Sequence, residues 1–251
     1  MPLKPWEIQA DDSRQQDSIT TFIIFCEDEN AEPLYFHSFS IDGKLRINII
    51  PNQKQGKINL HNTTLKCFED GLMEVVSGRY KIKEGVTEHI WCVYDRDLEN
   101  LAIANIRPID DSDFTTAIQA AYDSGLNVAW SNDVFELWVL LHFETIATGT
   151  RLHRDYIYRR LTEVFKALPN QSEALKGITA PDYFYYKWHL KTKENFRNHV
   201  LPLLKERKEI ALNNAKELAD IYPDNMLFHD RNPCTMVYQL VQELLAYHVN
   251  E

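Results

Sequence analysis

Residues 90–97, Ile-Trp-Cys-Val-Tyr-Asp-Arg-Asp, constrain the fold more than any other stretch of the chain. An apolar run of strand length ends abruptly at Asp95 and Asp97, and side chains two apart on a strand point to the same face. At the carboxyl end of a buried strand, this pair faces the crevice in which open α/β sheets bind ligands. Two carboxylates so close repel each other, so the pattern favours a bound divalent cation, either Mg²⁺ or Mn²⁺.

An earlier run of β-branched and aromatic residues, 20–26, also ends at an acid, Glu27. Taken singly, each of these acids is equally compatible with an ordinary surface loop, because loops are rich in such residues. The combination is more informative, since both acids follow apolar strands in a chain with an α/β pattern. We therefore expect Glu27, Asp95 and Asp97 to converge on one metal ion.

Periodicity predicts strands that alternate with helices through the first half of the chain. Strands are expected at residues 20–27, 44–50, 90–97 and 126–130, and helices at 32–39, 64–76, 111–123 and 134–143. This alternation implies an α/β fold with a mostly parallel four-stranded sheet and helices on both faces. Beyond residue 145 strand signals are lacking, and helices are expected at 156–168, 194–218 and 235–249. We divide the chain into a flexible arm (1–18), an α/β domain (19–148) and a helical C-terminal subdomain (149–251).

Composition limits the class of protein. The 251 residues carry a net charge of −10, so any nucleic-acid substrate would need a local basic surface, a bound metal or a basic partner. Four widely spaced cysteines without a C-x-x-C pair fit buried thiols in a reducing cytoplasm. No apolar run approaches the length of a membrane span or of a signal peptide, which predicts a cytoplasmic protein that does not enter a membrane.

Three further residues are candidates for the site. Glu136 interrupts an otherwise apolar helix, so it is expected to be a metal ligand, a supporting group or the partner of a lysine or arginine. His142, on the same helix, fits a hydrogen-bonded core histidine better than a ligand. Lys187 lies in an aromatic run (183–188) that favours a core edge over a base-stacking surface, and its ammonium is a candidate phosphate contact.

Four stretches, in order, resemble the motifs of the RloB-like (AbiL-type) family of bacterial phage-defence proteins. The family motifs are C-E-G-x-x-T-E-P-x-Y-F, W-x-V-x-D-R-D, S-N-P-x-F-E-L-W-L-L-L-H-F and N-P-x-T-x-V, matched here at residues 26–36, 91–97, 131–143 and 232–237. Two positions depart from the first motif, with Asp28 in place of a glycine and Ala31 in place of a threonine. Glycine would allow a close backbone approach to an ion, whereas Asp28 adds a carboxylate.

The resemblance implies a TOPRIM-type metal-binding domain, related to those of OLD nucleases, topoisomerases and bacterial primases. It also implies a nuclease effector of abortive infection that acts on DNA, RNA or tRNA with an ATPase of the ABC/AAA type from the same operon. In that reading Asp95 and Asp97 hold the metal, and Glu27 is a further ligand or the general acid or base. Glu32 and Glu136 support them, and Lys187 or Arg96 faces the substrate phosphate.

Two hypotheses remain open from the sequence. One is a Mg²⁺-dependent phosphoryl-transfer enzyme, namely a nuclease. The other is a non-catalytic sensor, scaffold or inhibitor of the same fold that binds a partner or nucleotide, consistent with the acidic charge and the altered first motif. The oligomeric state stays open, a homo-oligomer included.

Overall fold

A five-stranded sheet forms the centre of the molecule in the computed structural model, which describes residues 19–51, 60–98, 108–147, 149 and 151–248. Its strands are β1 (Thr20–Phe25), β2 (Leu45–Ile50), β5 (His89–Asp95), β6 (Asn127–Asn132) and β7 (Cys234–Thr235). They lie in the order β2-β1-β5-β6-β7. Two further strands, β3 (Met73–Val76) and β4 (Arg79–Ile82), form a separate antiparallel pair.

Parallel pairing in this sheet brings the carboxyl ends of β1, β5 and β6 to the same end of the sheet. Phe25 on β1 pairs with Cys92 on β5, and Asp95 on β5 pairs with Ser131 on β6. Strands covered on both faces read as continuous apolar runs, which explains why their sequences predicted them well. The predicted mostly parallel α/β architecture is confirmed.

The sheet differs from the prediction at one edge. The short strand β7 pairs antiparallel with β6, through Ser131 with Thr235 and Asn132 with Cys234. The expectation of four strands, with none beyond residue 145, is therefore wrong. Two residues are too few to produce an alternating pattern, so this strand left no periodic signal in the sequence.

The structure contains eleven α-helices within its described residues. They are α1 (Ala31–His37), α2 (Leu60–Glu69), α3 (Pro108–Ser124), α4 (Glu136–Leu141), α5 (Arg154–Ala167), α6 (Glu173–Thr179), α7 (Tyr186–His189), α8 (Lys193–Asn195), α9 (Leu201–Glu206), α10 (Lys208–Asp220) and α11 (Val237–Ala246). The expected helix over 194–218 is broken into α8, a π-helical turn at Phe196–Val200, α9 and α10.

The predicted helix at 64–76 is wrong in its second half. The helix α2 ends at Glu69, and Gly71 follows with a φ of 79°. Residues 73–82 then form the β3–β4 hairpin, which turns at Ser77 and Gly78 with φ values of 51° and 77°. Positive φ at both central residues is the geometry of a two-residue hairpin turn.

Two apolar clusters cover the sheet. The larger contains sheet residues such as Phe22 and Trp91 together with residues of α4, α5, α10 and α11. The smaller lies around Phe25, Cys92 and Trp130 with α2 and α3. The boundary near residue 148 stays a prediction, and the arm at 1–18 lies outside the described residues.

All four cysteines are buried and free, as predicted. Among the described residues, no helix combines the length and the apolar character needed to cross a lipid bilayer.

Candidate active site

Glu27 and Asp95 lie at the same end of the sheet. Asp95 is the last residue of β5, and Glu27 follows the end of β1, its parallel neighbour. Each has a relative exposure of 6%. Burial raises the pKa of Glu32 well above its usual value, and the charges of Asp28, Asp95 and Glu27 raise it further. Glu32 therefore lies within electrostatic range of Asp28, Asp95 and Glu27.

Glu32 holds the loop between β1 and α1 in place. Its Oε2 accepts hydrogen bonds from the backbone N–H groups of Glu27 and Asp28, at 2.8 and 3.3 Å. In return, Oδ1 of Asp28 accepts from the N–H groups of Asn30 and Glu32, at 3.0 and 3.2 Å. This reciprocal arrangement resembles a capping box and satisfies the backbone donors that precede the helix. Glu32 therefore supports the loop that presents Glu27.

Asp28 occupies the position of the glycine in the first family motif, and its carboxylate has two roles. One carboxylate oxygen is committed to the loop, and the other lies 3.8 Å from Nζ of Lys191. Burial raises the pKa of Asp28 above its usual value, although the charge of Lys191 lowers it in part. The added carboxylate is thus paired with a cation that the chain itself supplies.

Glu136 is fully buried and also pairs with Lys191. Its Oε1 lies 2.7 Å from the Lys191 ammonium, and its Oε2 accepts a hydrogen bond from the Tyr158 hydroxyl at 3.1 Å. Burial lowers the pKa of Lys191, but the charges of Glu136, Tyr158 and Asp28 together raise it well above its usual value. Of the roles left open for Glu136, the structure shows the partner of a lysine.

Asp97 lies on the rim of the site. It has a φ of 59°, and its carboxylate is 2.6 Å from Nη2 of Arg154. Arg154 also donates to both oxygens of the buried Asp133, each at 3.1 Å. Asp95 accepts a hydrogen bond from the backbone N–H of Phe135 at 2.9 Å. Asp97 is therefore oriented by an arginine, while Asp95 is oriented by the backbone that leads into α4.

Arg96 and Lys187, the two candidate phosphate contacts, lie in different surroundings. The Arg96 side chain is 2% exposed; it contacts Asp111 and donates to the His229 carbonyl at 2.9 Å, so it does not reach outward to a substrate phosphate. Lys187 is exposed, and its ammonium lies 5.2 Å from the centre of the Tyr158 ring.

Sequence reasoning missed Lys191 and Arg154, the two cations that contact the acids. Lys191 follows Lys187 by four residues, and nothing in the local sequence pattern separates the two. Arg154 opens α5 immediately after the expected boundary, where its contact with Asp133 and Asp97 has no local signature.

Oxygen donors of the kind that Mg²⁺ prefers are present at this end of the sheet. Across the ranges that the structure describes, no three or more histidine, cysteine, aspartate or glutamate side chains form a ready metal-binding group. Glu27 and Asp95 suit a hard divalent cation in their donor chemistry, whereas Asp97 lies beyond the end of β5 and contacts Arg154. The convergence of all three acids on one ion stays a prediction.

Comparison with known proteins gives one match. The family model described as "RloB-like protein" matches residues 22–244, most of the chain and every element that builds the site. Neither the curated proteins nor the solved structures include a match to this chain. Because the family model spans well over half of the sequence, the chain belongs to the RloB-like family.

Proposed function

We propose that this protein is a Mg²⁺-dependent phosphoryl-transfer enzyme, a nuclease with a TOPRIM-like catalytic centre. The observation that carries the proposal is the grouping of Glu27, Glu32 and Asp95, which come from the loop after β1, the first turn of α1 and the end of the adjacent strand β5. Carboxylate oxygens at the carboxyl ends of neighbouring parallel strands lie where α/β sheets bind ligands and are the donors that hard divalent cations prefer, so this grouping supports a cation-binding function.

Each acid and each cation has a separate role in such a site. Glu27, Asp95 and Asp97 would hold Mg²⁺ or Mn²⁺, and the ion would supply charge stabilisation and an activated water. Glu32 fixes the β1–α1 loop through two backbone N–H groups, so the Glu27 carboxylate is positioned before any ligand arrives. Arg154 restrains Asp97 through a direct ion pair with its carboxylate. Lys191 offsets the charges of Asp28 and Glu136, which reduces repulsion toward an incoming phosphate.

A biological setting follows from the family. The motifs at residues 26–36 and 91–97 resemble those of phage-defence proteins, and they contain Glu27, Glu32, Asp95 and Asp97. We propose that the chain is the nuclease effector of an anti-phage system and that an ABC/AAA-type ATPase is its partner. The net charge of −10 supports this, because an acidic chain gains from a partner that delivers nucleic acid to it.

A cleavage assay tests the proposal. Labelled DNA, RNA and tRNA are incubated with the protein and Mg²⁺, with and without the ATPase proposed as its partner. Glu27→Gln and Asp95→Asn preserve side-chain size and remove one charge each. Loss of at least about a hundredfold in rate is expected, since each removes a group that acts on the reacting centre.

Asp70→Asn is the matched control, because Asp70 is exposed after α2 and pairs only with Lys66 among the ion pairs described. It is expected to cleave at the wild-type rate. Unchanged Mg²⁺-dependent cleavage by both Glu27→Gln and Asp95→Asn would refute the proposal.

A further inference from the structure

Residues 187–208 form a basic stretch in this acidic chain. They contain seven lysines and arginines and two glutamates, whereas the whole chain carries a net charge of −10. These residues form α7, α8, the π-helical turn and α9, and they continue into the start of α10. The local excess of positive charge attracts a polyanion to this stretch.

The basic stretch passes directly beside the acid site. Lys191 contacts Glu136 and Asp28, as described above. Two residues further on, Lys193 lines a cavity of about 510 Å³, together with Arg197 from the π-helical turn. The lining also includes Glu29, which lies in the loop that presents Glu27, and residues of the edge strand β2. Two cations and a residue of the loop beside the acid site therefore line the same cavity.

Two large aromatic side chains are exposed where this stretch begins. Tyr183 and Trp188 have relative exposures of 75% and 69%, although Phe184 and Tyr186 between them are buried. The sequence interpretation of this run as a core edge is therefore correct for Phe184, Tyr185 and Tyr186 and does not hold for the two exposed rings. Burial of Trp188 and Tyr183 against a ligand would remove a large apolar area from water.

Trp188 is held in place by a chain of ring contacts that leads to the acids. Its ring packs edge-on against Tyr185, with centroids 5.0 Å apart. Tyr185 lies 6.3 Å from Tyr158, whose hydroxyl binds Glu136. A base stacked on Trp188 would therefore be linked to Glu136 by the successive contacts of Tyr185 and Tyr158.

We propose that single-stranded nucleic acid binds along residues 183–197, with a base stacked on Trp188 and backbone phosphates at Lys193 and Arg197. An aromatic platform next to cations recognises unpaired bases and the sugar–phosphate backbone without reading the sequence. Paired bases are stacked within a duplex and are not available to such a platform, so the substrate is single-stranded. This inference rests on the proposed function and names the substrate class of that site.

Fluorescence anisotropy tests the proposal on the full chain, at low salt and without divalent ions. The probes are a labelled single-stranded oligothymidylate of about twelve nucleotides and an abasic strand of the same length, a span within that of known single-strand sites. Trp188→Ala is expected to weaken oligothymidylate binding about tenfold or more and to leave abasic binding unchanged. Arg197→Gln is expected to weaken the binding of both probes equally. It should also reduce the slope of log affinity against log salt concentration by about one, the loss of one phosphate contact.

Phe68→Ala is the control, since Phe68 is a partly exposed aromatic residue on α2 and lies outside the basic stretch; it should bind both probes as wild type does. Absence of wild-type binding, wild-type affinity in Trp188→Ala, or an equal loss on both probes would each overturn the proposal. Unchanged oligonucleotide binding together with lost ATPase binding in Trp188→Ala would assign this surface to a protein partner instead, which also overturns it. Because binding is measured without metal, a failed cleavage assay would not affect this result.

Discussion

At the scale of single residues, buried charges are compensated by partners that are distant in sequence. Glu136 pairs with Lys191 and Tyr158, and Asp133 pairs with Arg154. The acids could be predicted because each interrupts or ends an apolar run. Their cations could not, since a lysine or arginine in a polar segment looks the same whether it faces water or a buried carboxylate.

Replacement of Lys191 is expected to destabilise the fold. Lys191→Met leaves the fully buried Glu136 without its cation, which costs about 3–5 kcal/mol when one partner of a buried pair is lost. Urea denaturation measures this change in the free energy of unfolding. The exposed neighbour Lys187 is the control, and Lys187→Met should cost less than about 1 kcal/mol. The double variant Glu136→Gln/Lys191→Met should recover part of the stability that Lys191→Met loses. Equal stabilities for Lys191→Met and Lys187→Met would contradict this account.

His142 is expected to make stability depend on pH. Burial lowers its pKa to about 4, while its Nδ1 hydrogen-bonds the Trp138 carbonyl at 2.9 Å. The unfolded chain binds this proton near pH 6.5, so the contribution is complete above pH 6.5 and is lost as the pH falls toward 4. The difference amounts to on the order of 3 kcal/mol.

Urea denaturation at a series of pH values measures this dependence. His142→Gln keeps a hydrogen-bond donor and removes the titrating group. Its stability should therefore fall less steeply than that of the wild type between pH 6.5 and 4.5. Parallel stability curves for the two proteins would show that His142 is not the group responsible.

At the scale of elements, periodic segments were predicted and segments defined by turns were not. The strands β1 and β5 and the helix α4 are long or apolar enough to leave a clear pattern. The β3–β4 hairpin was missed because residues 64–76 also fit a helical period. Gly71 and the Ser77-Gly78 pair were the signals that distinguish the two, since such residues favour positive φ.

Two glycines are expected to respond in opposite directions to the same substitution. Gly78 has a φ of 77° with no atom within 4 Å of an added Cβ, so Gly78→Ala strains the backbone alone and should cost about 1–2 kcal/mol. Gly177 lies inside α6, also with open space around it, and Gly177→Ala should stabilise by about 0.5–1 kcal/mol. Thermal unfolding of both variants measures the effect. A stabilised Gly78→Ala protein would contradict the assigned turn.

At the scale of the whole molecule, the C-terminal part contributes to the same sheet and the same core as the first part. Strand β7 pairs with β6, and the larger cluster joins sheet residues to α10 and α11. The family motifs at residues 131–143 and 232–237 meet at this strand pair, where the Ser131 and Thr235 hydroxyls are 3.0 Å apart. Sequence order alone does not show such a return of the chain to the sheet.

The chain is therefore expected to unfold in one transition. Far-UV circular dichroism and tryptophan fluorescence should give the same denaturation midpoint, because the two parts share one core. Thr235→Val leaves the buried Ser131 hydroxyl without this partner, and it should lower both midpoints together by about 1–3 kcal/mol of stability. Two separate transitions, with Thr235→Val affecting one of them, would show that the parts fold independently.

Titration calorimetry with Mg²⁺ and Mn²⁺ tests the central claim most directly, since it asks whether the acids at the ends of β1 and β5 bind a divalent cation. The account predicts saturable binding at millimolar concentration or tighter for the wild type, weakened at least about tenfold in Asp95→Asn and unchanged in Asp70→Asn. Absence of binding to the wild type at millimolar concentration, or equal binding to Asp95→Asn, would contradict it and favour a non-catalytic scaffold or sensor.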